Sequence, residues 1–368
     1  MSLKVKDVVA FLESFAPEHL AEQWDNPGLL AGNPDSEVNN VMLALDVTPD
    51  VVKEAIDKKT DLLISHHPLI FKGIKSLAQT DWHNRMLTQI ISNNISIYCA
   101  HTNLDIAFGG VNDMLAQKLA LQDIKVLQKT GSEKLFKLVV FVPEDYSEAV
   151  MFAMTKSGAG HIGCYSDCTF QTKGMGTFRP MNGTKPFIGA EGYLERVNEV
   201  RLETVVTETI KQTVLVEMIG AHPYEEVAYD IYELKNEMNP WGIGRIGTLS
   251  KKLGAKEFAL KIKEALCLDY VVYVDAGIKI KKVAVIGGAG ADYAKVALAK
   301  GADALVTGDV KYHTALEAKF LGISLFDAGH QGTEWPVLEA LHEKLNSWSK
   351  SKKIKIVTAK EKKVLQQI

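Results

Sequence analysis

The feature that most constrains this chain is a repeated alternation of strand-length apolar runs with helix-length amphipathic stretches. Residues 41–48 read as a strand ending at Asp46. A helix over 50–58 follows, opened by Pro49, which suits the first helical turn. Residues 62–65 form the next apolar run and 84–93 a helix. Residues 96–100 form a third strand and 111–121 another helix. The rhythm returns late in the chain. A helix over 256–266 precedes a strand near 281–286, a helix over 292–300 and a strand over 304–309. A helix over 313–321, a strand over 324–330 and a helix over 333–344 complete it. Strand–helix alternation predicts βαβ units and a parallel sheet, and ligands of such sheets collect beyond the carboxyl ends of the strands.

Between about 129 and 239 the character changes. Strands are predicted at 137–143, 168–178, 185–195, 200–206 and 227–234, and helices at 146–157 and near Glu208. Order and lengths suit a small α+β unit of the βαββαβ kind, inserted into the first domain. The predicted domains are therefore 1–128 with 240–368, and 129–239. A chain of 368 residues supports two cores.

The residues at the predicted strand ends carry the chemistry. His66 and His67 close one strand; His101 and Asp105 follow another. Asp309, with His313 beyond it, ends a third, and His330 with Glu334 ends a fourth. A lone His at a strand end is usually structural, Asp309 could cap the next helix, and Glu334 could favour its helix N-terminus through the dipole. Four coincident ends carrying imidazoles and carboxylates instead point to metal binding, with enough donors for two ions. His330 and Glu334, four apart, share a face if both are helical.

Other signals are weaker. His161, Cys164 and Cys168 do not have a standard zinc spacing, and no fourth ligand is evident. His222 with Glu225 or Glu226 reads either as a ligand contact or as a turn with solvated acids. Gly287-Gly288-Ala289-Gly290 fails the dinucleotide pattern and reads as a tight strand-to-helix turn.

Composition narrows the class. Hydrophobic residues make up 46% and charged residues 24%, as in an ordinary globular protein, and a net charge of -3 offers no basic field for nucleic acid. There is no signal-peptide pattern and no apolar run of membrane-span length. The four cysteines suit a reducing compartment rather than a disulfide framework, so a cytoplasmic location is expected.

Ile64-Ser65-His66-His67-Pro68, His101-Thr102-Asn103-Leu104-Asp105, Thr307-Gly308-Asp309 and His330-x-x-x-Glu334 resemble the motifs of the GTP cyclohydrolase 1 type 2 homologue family, also called NIF-three-like. The resemblance covers essentially the whole chain. It implies a dinuclear centre with ligands His66, His67, Asp105, His330 and Glu334, the last as the bridge. It leaves His101, Asp309, His313 and Asp46 as supporting or substrate-facing groups, with His101 and His313 as candidate proton carriers. Zinc is the first expectation for the two divalent ions; iron, manganese, nickel and cobalt also suit such donors. The middle segment resembles the PII/CutA-like domain of longer family members, through Gly160-His161-Ile162-Gly163-x-Tyr165, Gly174-x-Gly176-x-Phe178 and His222-Pro223-Tyr224-Glu225-Glu226. The resemblance further implies a homohexamer. Two readings follow: a metal-dependent hydrolase of a nucleotide or phosphoester, or a non-enzymatic metal- or metabolite-binding protein.

Overall fold

The computed structural model describes residues 2–352 and 354–365. The chain forms two compact units, Met1–Thr130 with Trp241–Ile368, and Gly131–Pro240. The first is mixed α/β and contains strands of two sheets. One sheet runs in the order Gly28–Ala31, Ser96–Cys99, Leu62–Ser65, Asn40–Ala44, Lys355–Thr358, with the last four parallel and Gly28–Ala31 antiparallel. In the other, Ile280–Val285, Ala304–Thr307 and Ser324–Asp327 are parallel. Val272–Val274 and the C-terminal part of Tyr229–Leu253 flank them antiparallel.

The single parallel sheet expected from the alternation is thus two. The pattern identifies strands but not their neighbours, and the long middle segment separates the two runs. Gly28–Ala31 and Val272–Val274 carry no strand signal in the sequence because four or three residues establish no period. Leu62–Ser65, Ser96–Cys99 and Ala304–Thr307 are buried throughout, as strands covered on both faces must be. The helix Pro49–Asp57 begins where expected. Thr48 accepts from the Val51 N–H, a cap worth about 1 kcal/mol.

The helix that positions the site is His330–Ser349. It leaves the second sheet just beyond Ser324–Asp327, yet packs Val337, Leu338, Leu341 and Leu345 against Leu43, Leu45, Leu62, Ile64 and Tyr98 of the first sheet. A helix from one sheet therefore lays its first turn against strand ends of the other. Arg245, 1% exposed, fastens the same unit. It grips Asp113 with two hydrogen bonds (Nε–Oδ1 2.7 Å, Nη2–Oδ2 2.9 Å) and also donates to the carbonyls of Gly242, Gly244, Ile106 and Ala107.

In the second unit, Gln122–Pro143 runs into helix Ser147–Lys156, strands Thr169–Phe178 and Glu195–Thr207, helix Glu208–Ala221 and then Tyr229–Leu253. Glu195–Thr207 pairs antiparallel with both Gln122–Pro143 and Thr169–Phe178. Leu138, Val140, Val150, Met154, Leu202, Val214 and Met218 form its core. The strand expected over 185–195 is absent until Glu195. Pro186 has no N–H for a ladder, and Gly189 and Gly192 take left-handed φ angles of 89° and 85°. Among the described residues the four cysteines are free, and no helix is long and apolar enough to cross a membrane.

Candidate metal centre

Beyond Leu62–Ser65 the chain bends at His66 and His67 but stays hydrogen-bonded to the segment beside it. The N–H groups of His66 and His67 donate to the carbonyls of Ala44 (3.0 Å) and Leu45 (2.8 Å) on the neighbouring strand. Each imidazole is then aimed by its Nδ1. His66 Nδ1 donates to the Ala100 carbonyl at 2.8 Å, and His67 Nδ1 to Asp46 Oδ1 at 2.9 Å. Across the site His330 Nδ1 donates to Asp309 Oδ2 at 2.7 Å. An imidazole donating from Nδ1 presents its Nε2 lone pair when neutral, so all three rings offer Nε2 as the ligand atom.

Those nitrogens converge on Glu334. Its Oε1 lies 3.1 Å from His330 Nε2 and 3.7 Å from His66 Nε2, and its Oε2 lies 3.2 Å from His67 Nε2. His66 Nε2 is also 3.6 Å from Asp105 Oδ1, and the His67 and His330 Nε2 atoms are 3.3 Å apart. His330 is the first residue of its helix, so Glu334 lies one turn along on the same face. The rings of the adjacent pair His66–His67 both face the same carboxylate.

His66 Nε2 and Asp105 Oδ1 are buried with no hydrogen-bond partner. Such atoms cost about 1–3 kcal/mol each when left unsatisfied. A metal cation serves an imidazole lone pair and carboxylate oxygens together. Two trios have ligand atoms within 4.8 Å of one another, His67 with His330 and Glu334, and His66 with His67 and His101. These groups could hold a metal ion.

A family model described as Duf34/NIF3 (NGG1p interacting factor 3) matches residues 3–364. The chain belongs to the DUF34/NIF3 family. It is 44% identical over 353 residues to the Bacillus subtilis (strain 168) protein named GTP cyclohydrolase 1 type 2 homolog, covering 96% of this chain and 94% of that one. It superposes on the crystal structure of a Bacillus cereus protein related to NIF3 with a TM-score of 0.91, at 40% identity and full coverage of both chains. A Staphylococcus aureus protein structure matches with a TM-score of 0.79 at 32% identity, covering 100% of this chain and 99% of that one.

The remaining candidates divide. In this DUF34/NIF3 member Asp46 and Asp309 touch the site through His67 and His330. His101 stands beside the cluster, its ring centroid 5.3 Å from that of His66 and 5.6 Å from that of His67. His313 is exposed on helix Tyr312–Leu321 with its ring against Tyr312. His161 and Cys168 bond to nearby carbonyls of their own turn. His222 uses Nε2 on the Phe141 carbonyl and Nδ1 on the Tyr224 N–H.

Two supports escaped sequence reasoning. Asp25, its side chain fully buried, accepts from His101 Nδ1 at 2.8 Å and from Thr102. Its only signal was a turn 76 residues away from its partner. The second is Gly287-Gly288. Asn112 joins this turn to Asp105, accepting from the Gly287 N–H at 2.9 Å and donating to the Asp105 carbonyl at 2.9 Å. Gly288 has φ +62°, and a Cβ there would collide with Glu334 Oε1 and meet His330 Nε2 at 3.1 Å. Gly288→Ala is therefore expected to lower metal affinity by about 10–100-fold, as disturbing a ligand's support does. Metal titration of the variant checks this, and unchanged affinity contradicts it.

The electrostatics follow from the crowding. Burial pulls the His67 imidazole down, but Asp46 and Glu334 outweigh it and lift it to about 10. Glu334 raises His330 to about 9 against its burial, with Asp309 adding. Burial pushes the Asp105 carboxyl up. Burial also opposes ionisation of Glu334, yet the surrounding imidazoles hold it well below the usual carboxylate range. His67 and His330 have folded values above the unfolded value of about 6.5. Their protons thus stabilise the metal-free fold fully below about pH 6.5, and that contribution is lost as pH rises through about 9 to 10. Metal-free protein should melt progressively lower from about pH 7 to about pH 10, whereas metal-loaded protein should change little. Thermal scans with and without metal check this; a flat metal-free profile contradicts it.

Proposed function

We propose that His66, His67, Asp105, His330 and Glu334 hold two divalent metal ions and that the protein is a metal-dependent hydrolase of a nucleotide or phosphoester. The observation that carries this is the Glu334 carboxylate, within 3.7 Å of three imidazole Nε2 atoms. One ion would take His67, His330 and Glu334, the other His66, Asp105 and Glu334, so that Glu334 bridges. Zinc is the first candidate by donor type, with iron, manganese, nickel and cobalt next.

When bound, such ions supply Lewis acidity that lowers the pKa of water and polarises a phosphoryl or carbonyl centre. The chain's own residues do the rest. Asp46, Asp309 and the Ala100 carbonyl hold three rings in the ligating tautomer. His101, fixed by Asp25, keeps its second ring nitrogen for holding or passing a proton beside the cluster. His101 is preferred over His313 for this role because its ring lies 5.3 Å from that of His66 and 5.6 Å from that of His67. The relatives' name points to ring opening of GTP; the donor set suits phosphoester or amide hydrolysis equally.

The inserted unit is assigned a ferredoxin-like, PII/CutA-like fold. Its support is the strand–helix–strand–strand–helix–strand order, with the first and third strands adjacent and the second outermost. A homo-oligomer, hexameric by family resemblance, is also proposed. Tyr312, Leu316 and Phe320 form an exposed row at four-residue spacing that a second copy would cover. Light scattering at a monomer's mass overturns that assembly.

The functional test is metal analysis of protein purified without added metal, followed by a panel of nucleotides and phosphoesters. Two equivalents of divalent metal with turnover support the proposal. Metal without turnover on any substrate favours a storage or sensing role.

A further inference from the structure

We propose that Trp24 and Phe71 form a recognition surface for a planar heteroaromatic ring, so that the ligand of this centre is nucleotide-like, a flat base joined to an anionic group. This rests on reading the His/carboxylate cluster as the reactive site.

Trp24 is 58% exposed and Phe71 47% exposed. A single apolar side chain at a surface needs no explanation, but these two meet. Their ring centroids lie 5.8 Å apart at 42°, and Trp24 stands edge-to-face with His101 at 6.0 Å. Trp24 therefore borders His101 at the edge of the cluster, and Phe71 packs against Trp24. Neither ring is needed to fix the backbone beneath it, because polar side chains do that. Asp25, next to Trp24, is bound to His101 and to Thr102. Asn26 Nδ2 donates to the Ile70 carbonyl at 2.6 Å, joining the turn of Trp24 to the loop of Phe71. His83 Nε2 donates to the Leu69 carbonyl at 2.7 Å on the far side of that loop. Two wet aromatic rings are thus held on pinned backbone at the edge of the candidate centre.

Rings so placed suit a flat π-system, which stacks whatever its hydrogen-bonding edge. The charge of the same loop selects the rest of the ligand. Residues 68–80 contain Lys72 and Lys75, both exposed, and no Asp or Glu. In the proposed mode Lys72 and Lys75 meet the phosphate of a base laid against Trp24 and Phe71.

The test is calorimetric binding of guanosine and adenosine 5′-monophosphates, compared with ribose 5-phosphate, to the full-length protein with and without manganese. Wild type should prefer both nucleotides to the base-free sugar by about tenfold or more, as expected for stacking on an aromatic side chain. Trp24→Ala and Phe71→Ala should erase that preference with metal content and ribose 5-phosphate affinity unchanged, while Trp24→Phe should keep most of it. Equal affinity for nucleotide and sugar phosphate in wild type overturns the inference. So does a preference that survives both alanine substitutions, or a Trp24→Ala variant that changes only the assembly state. The two readings fail separately. Base preference without hydrolysis keeps the recognition surface and removes the hydrolase, whereas hydrolysis of base-free phosphoesters without base preference does the reverse.

Discussion

Glu334→Gln is expected to abolish turnover and to lower metal affinity by at least about a hundredfold, the upper end of what losing a mere supporting partner costs. Glu334 is 3% exposed and, among the described residues, is the one carboxylate with ion-pair distances to His66, His67 and His330 together. The amide keeps the shape but removes the charge, and its NH2 group turns two donor hydrogens toward nitrogens that need a cation. The metal-free variant carries a second signature. With the carboxylate gone, His67 and His330 lose a main cause of their raised pKa, so the fall in melting temperature between about pH 7 and about pH 10 should shrink. Metal titration, turnover and pH-dependent melting together read this substitution. Full activity in metal-loaded Glu334→Gln protein contradicts the proposed role of the carboxylate.

Arg245→Met is expected to destabilise the unit containing residues 1–130 and 241–368 by about 3–5 kcal/mol, the usual cost of removing one partner of a buried pair. The substitution strands Asp113 and takes the donor from the carbonyls of Gly242, Gly244, Ile106 and Ala107. Two of those carbonyls directly follow Asp105. Metal affinity should therefore fall along with stability, although Arg245 touches no ligand. Denaturant unfolding followed by a probe in that unit measures the loss, and a change below about 1 kcal/mol contradicts the role assigned to the guanidinium. Asp113→Asn should cost less, since the amide oxygen still accepts one hydrogen bond.

The site was legible in the sequence to the extent that its residues sit at strand ends. Parallel strands buried on both faces announce themselves as apolar runs, and the first polar residue after each run marks the edge where ligands gather. That logic reached His66, His67, Asp105, Asp309, His330 and Glu334. It placed them around one sheet, because an apolar run does not name its neighbour. The two sheets are brought together by helix His330–Ser349 through Leu338, Leu341 and Leu345, a partner choice that an expected helix over 333–344 does not specify. Supports contributed from a distance left no pattern. Asp25 lies 76 residues from His101, and Asn112 lies 175 residues from Gly287, separations that no local pattern bridges. Gly288 looked like a turn glycine, whereas its lack of a Cβ is what admits the Glu334 carboxylate.

Crystals of the protein grown with manganese or zinc, with anomalous diffraction recorded at that metal's absorption edge, test the central claim most directly. Two anomalous peaks are expected. One should lie among His67 Nε2, His330 Nε2 and Glu334, the other among His66 Nε2, Asp105 Oδ1 and Glu334. Metal-saturated crystals with no peak at these atoms, or with all metal bound elsewhere on the chain, would contradict it.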